Sequence, residues 1–176
     1  MNIEIPYTPR PGQAQLHGEL QSKRWGVVVC HRRWGKTVMA INHLLRDAVL
    51  NSKPNPRYAY IAPTYRQAKA VAWDYLKQFA GAVPMVRFHE TELRADLPNG
   101  ARIQLLGAEN PDSLRGIYLD GSVLDEMADM PESLFPEIIR PALSDRKGWA
   151  LFIGTPRGHN AFYELYTAAE GQKDWH

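Results

Sequence analysis

The chain has 176 residues, of which 44% are hydrophobic and 23% charged, with a formal net charge of +2. That length suits one globular domain with a sizeable core, and so small a charge does not by itself mark a nucleic-acid binder. No apolar run approaches the roughly 20 residues of a membrane span, residues 1–10 lack the basic head and apolar stretch of a signal peptide, and the single cysteine, Cys30, excludes an internal disulfide or a cysteine-based zinc cage. A reducing, cytoplasmic setting is the default expectation.

In chain order, the proline-bearing opening reads as an extended arm, followed by a short helix over residues 12–23. Residues 25–30, apolar and β-branched, predict a buried strand. A tight basic loop over 31–35 leads into a helix over 36–50, where Val38, Met39, Ile41, Leu44, Leu45 and Ala48 recur at helical spacing. Residues 51–56, rich in Asn and Pro, form a turn. Residues 58–62 predict a second strand and 65–79 a helix. Short strands are expected over 85–88, 91–97 and 101–106, the last two joined by the hairpin signal Pro98-Asn99-Gly100. After a polar loop over 107–116 come a strand over 122–125, a helix over 131–143, a strand over 149–153, a loop over 154–158 and a helix over 159–169. Strands alternating with helices predict an α/β domain with a mainly parallel central sheet flanked by helices. In such sheets ligands bind beyond the carboxyl ends of the strands. The loops at 31–35, 63–64, 125–127 and 154–158 all follow strands and are therefore expected on one edge.

The segment Cys30-His31-Arg32-Arg33-Trp34-Gly35-Lys36-Thr37 matches the phosphate-binding P-loop pattern except that Cys30 replaces its first glycine. A loop between a buried strand and a helix turns backbone N–H groups inward and adds the positive end of the helix dipole. Lys36 would then reach the β- and γ-phosphates of a nucleotide, and the Thr37 hydroxyl would ligate Mg²⁺. Arg32 and Arg33 either stabilise transition-state charge or merely raise the local potential. His31 and Trp34 are expected to pack or cap the loop.

Val123-Leu124-Asp125-Glu126 ends an apolar strand on two adjacent acids. Neighbouring strand residues point to opposite faces, so the two acids have different tasks if the strand persists. Asp125 suits the metal, and Glu126 suits the general base that orients an attacking water. Asp120, closing Ile117-Tyr118-Leu119, is a weaker rival for the metal because Gly121 breaks that run and no second acid follows.

With both motifs placed, the chain resembles the ATPase domain of large terminase subunits of tailed bacteriophages, over nearly its whole length. The resemblance rests on Pro9-Arg10-Pro11-Gly12-Gln13, His31 to Thr37, Ile61-Ala62-Pro63-Thr64, Leu114-Arg115-Gly116 through Asp125-Glu126, and Gly154-Thr155-Pro156-Arg157-Gly158. An Arg-bearing P-loop without its first glycine is typical of that family. The resemblance implies a P-loop NTPase of the additional-strand, catalytic-Glu type, formed by residues 1–176 as a single domain with an adenine-binding arm over about 1–24. It implies ATP and Mg²⁺ as cofactors, with Arg10, Gln13, His31, Arg32, Arg33, Trp34, Gly35, Lys36, Thr37, Val38 and Thr155 around the nucleotide. Gln13 would read the adenine edge, Arg115 would enter a neighbouring subunit's site as a trans-acting finger, and Thr155 would sense the γ-phosphate, with Arg157 a second candidate for phosphate contact. Expected partners are double-stranded viral DNA, copies of the same chain in a ring on the portal of the procapsid, and the small terminase subunit, in the host cytoplasm and without a membrane. No strand-borne acid set for the family's nuclease is recognisable in the sequence. Two other readings stay open: a helicase or recombination-type ATPase, and a weakly hydrolysing nucleotide-binding switch.

Overall fold

The computed structural model describes residues 3–155 and 161–175. Seven strands form one sheet: β1 (Trp25–Val29), β2 (Arg57–Ala62), β3 (Arg87–His89), β4 (Arg94–Asp96), β5 (Arg102–Gly107), β6 (Gly121–Asp125) and β7 (Trp149–Gly154). Their order is β1-β7-β6-β2-β5-β4-β3. The pairs from β1 to β5 are parallel, and β4 and β3 continue the sheet antiparallel. The helices are α1 (Pro11–Leu20), α2 (Lys36–Leu50), α3 (Tyr65–Ala68), α4 (Asp74–Ala80), α5 (Arg140–Ser144) and α6 (Ala161–Ala169).

Central parallel strands are covered on both faces, so their residues alternate between two apolar layers rather than between core and water. In β2, Tyr58, Tyr60 and Ala62 face the layer holding α1, α2 and α4, while Ala59 and Ile61 face the layer under α5 and α6. Helix α2 brings Met39, Ala40, Ile41, Leu44, Leu45 and Ala48 into the first layer, all fully buried. The predicted hairpin forms at residues 98–100, with Leu97 N–H on the Ala101 carbonyl at 2.8 Å. The Asn99 amide donates to the Ala48 carbonyl at 2.8 Å, which ties that turn to the end of α2.

Several local features differ from the sequence expectation; the strands expected over 85–88 and 91–97, for instance, form only at 87–89 and 94–96. Helix α1 ends at Leu20, short of residue 23. The helix over 65–79 forms but carries a π turn, Lys69–Trp73, between α3 and α4. The helix over 131–143 begins with a second π segment, Leu134–Ile139, before α5. Pro136 and Pro141 each lack the N–H that a regular α ladder requires there. Residues 117–120 are not a strand: Asp120 lies just before β6, at the end of the sheet opposite Asp125.

Candidate functional site

Strand β1 is anchored at its end by Cys30 N–H on the Gly154 carbonyl of β7 at 3.2 Å. The loop then turns through Arg33 at φ 68° and Gly35 at φ 88°, both left-handed. That conformation favours glycine; it costs a side chain such as that of Arg33 about 1 kcal/mol or more and is concentrated at functional loops. Gly35 has a second reason to be glycine, because a Cβ there would lie 2.8 Å from the Gln13 amide nitrogen. Helix α2 begins directly at Lys36, so its first N–H groups face the hollow of the loop, a ready anion site.

Three neighbouring strands deliver side chains to this hollow. The Lys36 ammonium donates to Glu126 Oε1 and to Thr155 Oγ1, both at 2.7 Å. The Thr155 hydroxyl and N–H also bond the Glu126 carboxylate, at 3.1 and 3.4 Å. Glu126 sits at φ 55°, ψ 48°, a left-handed residue ending β6. Strand geometry therefore stops at Asp125, and the turn lets Glu126 face the same hollow. The two acids also differ electrostatically. Burial pushes the Glu126 carboxyl upward, but the Lys36 bond and charge and the two Thr155 donors outweigh it and hold the pKa below the usual glutamate value. Burial raises that of Asp125, against the opposing pull of the Tyr60 hydroxyl and Lys36.

Asp125 is almost wholly buried and accepts a hydrogen bond from the Tyr60 hydroxyl on Oδ2, while Oδ1 has no partner among the described residues. The Thr37 hydroxyl also interacts with Tyr60. An orphaned buried carboxylate oxygen near a P-loop threonine fits a magnesium ion, which is usually held by one or two carboxylates plus phosphate oxygens. Among the described residues no three His, Cys, Asp or Glu side chains gather to hold a metal alone.

The resulting cleft, about 310 Å³, is lined by His31, Arg32, Arg33, Gly35, Lys36, Thr37, Val38, Tyr75, Glu126 and Thr155. A larger cavity of about 480 Å³ between the arm and α2 is mostly apolar and lies along the C-terminal half of that helix, away from the phosphate chemistry. His31, Arg32 and Arg33 are exposed around the mouth of the cleft. The arm is fastened to the loop: Arg10 Nη1 donates to the Arg33 and Trp34 carbonyls at 3.3 and 3.2 Å. Gln13 Nε2 donates to those of Trp34 and Gly35 at 3.4 and 3.2 Å, and its Oε1 accepts from Arg10 N–H at 2.9 Å. Arg115 is outside the cleft, exposed and paired with Asp112 at 2.8 Å. Residues 63–64 do not line the cleft, and Pro156, Arg157 and Gly158 lie outside the described residues.

Two residues at the site were not singled out from the sequence: Tyr75, which lines the cleft, and Tyr60, buried behind it against Asp125. A tyrosine in a fully buried strand needs a partner for its hydroxyl, a signal that could have drawn attention to Tyr60. Tyr75 offers no comparable signal.

A parallel sheet with a glycine-lysine-threonine loop feeding a helix, and a strand ending in two acids beside it, defines the P-loop nucleotide-binding class. The profile described as "Terminase large subunit, T4likevirus-type, N-terminal" matches residues 31–175. The large terminase subunit of Thermus virus P23-45 is 31% identical with 92% of this chain covered, and that of Escherichia phage T5 is 29% identical with 90% covered. Among solved structures, the ATPase domain of the Thermus phage P74-26 large terminase superposes with a TM-score of 0.81 at 28% identity, covering 97% of this chain and 80% of that one. The HK97 bacteriophage large terminase shares the fold, with a TM-score of 0.77 at 16% identity over 98% of this chain and 39% of that one. The chain belongs to the large terminase family. It spans 36% of the length of the Thermus virus relative.

Proposed function

We propose that the chain binds Mg-ATP in this cleft and hydrolyses it as the ATPase part of a large terminase, driving double-stranded viral DNA into a procapsid. The observation that carries the reading is the convergence of Lys36, Thr155 and Glu126 at the start of α2, beside the unpartnered oxygen of Asp125. The loop N–H groups and Lys36 hold the β- and γ-phosphates. Thr37 and Asp125 hold magnesium, which when bound neutralises phosphate charge. Glu126, kept ionised by its donors, accepts a proton from water attacking in line. The Lys36 ammonium lies 2.7 Å from one oxygen of that base. Arg32 or Arg33 at the cleft mouth stabilises the developing charge. Arg115, turned away from its own cleft, serves a neighbour in a ring assembled on the portal. The family also supports contact with a small terminase subunit in the host cytoplasm, and among the described residues no helix is long and apolar enough to cross a membrane.

The test is Mg²⁺-dependent hydrolysis by the chain and by Glu126→Gln across protein concentrations, with ATP binding measured alongside. Loss of about 10²–10⁴ in turnover with binding retained is expected when a general base is removed. A per-subunit rate that climbs with concentration would support Arg115 acting in trans. Equal turnover in both proteins would remove Glu126 from the chemistry.

A further inference from the structure

We propose that Tyr75 is the stacking platform for the nucleotide base, an assignment that rests on the cleft being the nucleotide site. The polar lining of the cleft is accounted for by the phosphates and the attacking water: the loop N–H groups and Lys36 for the former, Glu126 and Thr155 for the latter. Beyond those groups the cleft holds the exposed loop side chains His31, Arg32 and Arg33 at its mouth, with Val38 and Tyr75, and Tyr75 carries its largest aromatic ring. Tyr75 is 40% exposed, and its hydroxyl makes no hydrogen bond to a described residue. One ring face is stacked on Phe79, with centroids 6.4 Å apart and planes inclined by 16°. Phe79 is itself buried and held edge-on by Tyr7 at 5.9 Å. The platform is therefore braced from behind, so a base landing on its open face need not first order a mobile side chain.

The helix is built to present that ring. The π turn at Lys69–Trp73 amounts to a one-residue insertion in the α ladder, which turns all that follows by about 100°. Tyr75 is the second residue beyond it, so an uninterrupted helix would aim the ring away from the cleft.

Hydrogen-bond reading of the base is poorly supplied by comparison. Both polar atoms of Gln13 are engaged by Trp34, Gly35 and Arg10, and the Arg10 guanidinium is bound to two loop carbonyls. These two residues fasten the arm to the phosphate loop, and Tyr75 adds an aromatic face to the cleft. Stacking is tolerant of base identity, so adenine and guanine nucleotides would depend on Tyr75 alike.

Isothermal titration of the full chain with Mg-ATP, Mg-GTP and Mg-tripolyphosphate tests this, using wild type, Tyr75→Ala, Tyr75→Leu and Tyr75→Phe. The alanine and leucine variants should bind both nucleotides roughly ten-fold more weakly, the size of one base–aromatic stack. Their tripolyphosphate affinity should stay at the wild-type value, and the phenylalanine variant should match wild type throughout. In steady-state hydrolysis the loss should appear in KM with kcat kept. Wild-type ATP affinity in both the alanine and leucine variants would overturn the platform while leaving the nucleotide site standing. An equal loss of tripolyphosphate would show that Tyr75 shapes the phosphate cradle instead, and a loss in the phenylalanine variant would give the role to the hydroxyl. A wild-type chain that bound neither nucleotide nor tripolyphosphate would sink the cleft assignment and this one together.

Discussion

The two ends of β6 each carry a buried aspartate, and the two are treated in opposite ways. Asp120, just before the strand, accepts from Arg57 N–H at 3.0 Å and is paired with Arg146 at 3.1 Å and Lys53 at 3.4 Å. Asp125, at the far end, receives the Tyr60 hydroxyl and leaves its other oxygen without a described partner. A buried charge is tolerated when it is paired and hydrogen-bonded. Asp120 meets that condition inside the chain. Asp125 does not, and its end of the sheet is where the helix N-terminus, Lys36 and Glu126 converge. Two acids of similar burial in one short strand region are thus separated by how completely the fold satisfies them: one closes the structure, the other stays ready for something from outside.

The sharpest way to break this contrast is to remove each acid in turn. Asp120→Ala leaves the Arg57 N–H and the Arg146 guanidinium without their acceptor beside a buried gap and should cost about 1–3 kcal/mol of stability, as read from urea unfolding. Asp125→Asn removes a charge that the fold leaves unsatisfied. Its stability should change by about 1 kcal/mol or less in either direction, while Mg²⁺-dependent turnover collapses. A reversal of the two outcomes would undo the assignment. Next in size, Tyr60→Phe should raise the Mg²⁺ concentration for half-maximal activity about 10–100-fold, as outer-sphere partners of metal ligands do. An unchanged Mg²⁺ requirement would reduce Tyr60 to packing.

A smaller effect comes from a partly buried histidine pair between α1 and α2. His17 and His43 face each other with Nδ1 atoms 3.1 Å apart, and Tyr7 reaches the other side of His17 at 3.1 Å. Burial, with the nearby charges of His17 and Arg46, pushes the His43 pKa down from 6.5 to about 3. His17 is lowered as well, chiefly by burial and further by Arg46. A histidine with a depressed native pKa binds its proton more readily in the unfolded chain. Stability is then complete above the unfolded pKa and falls as pH drops below about 6.5, by about 1.4 kcal/mol per unit for His43 until its native pKa is reached. The urea midpoint should therefore be lower at pH 5 than at pH 7, and His43→Phe should flatten that difference. A wild-type midpoint indifferent to this change would mean that the pair is not held neutral.

The parts of the site that follow local rules were legible in the sequence. The strand–loop–helix around Gly35-Lys36-Thr37 and the acid pair ending β6 are short-range patterns, as is the hairpin at 98–100, and each formed where its spacing implied. Contacts between distant segments were not legible. The sequence puts Glu126 just past the strand end, but nothing local announces the left-handed turn by which it faces the hollow. Nor does the sequence announce that the Gln13 amide meets the Trp34 and Gly35 carbonyls of the loop. The Tyr60 partner lies on another strand, and the facing of Tyr75 depends on a π turn that helical periodicity does not anticipate.

The placement of β7 between β1 and β6 has a mechanical consequence. Lys36 follows β1 and Glu126 follows β6, while Thr155, bonded to both, ends the strand that separates them. Cys30 and Glu126 each donate a backbone N–H to β7, at Gly154 and Ile153. A tug on either the cradle or the base is therefore referred to one shared rail.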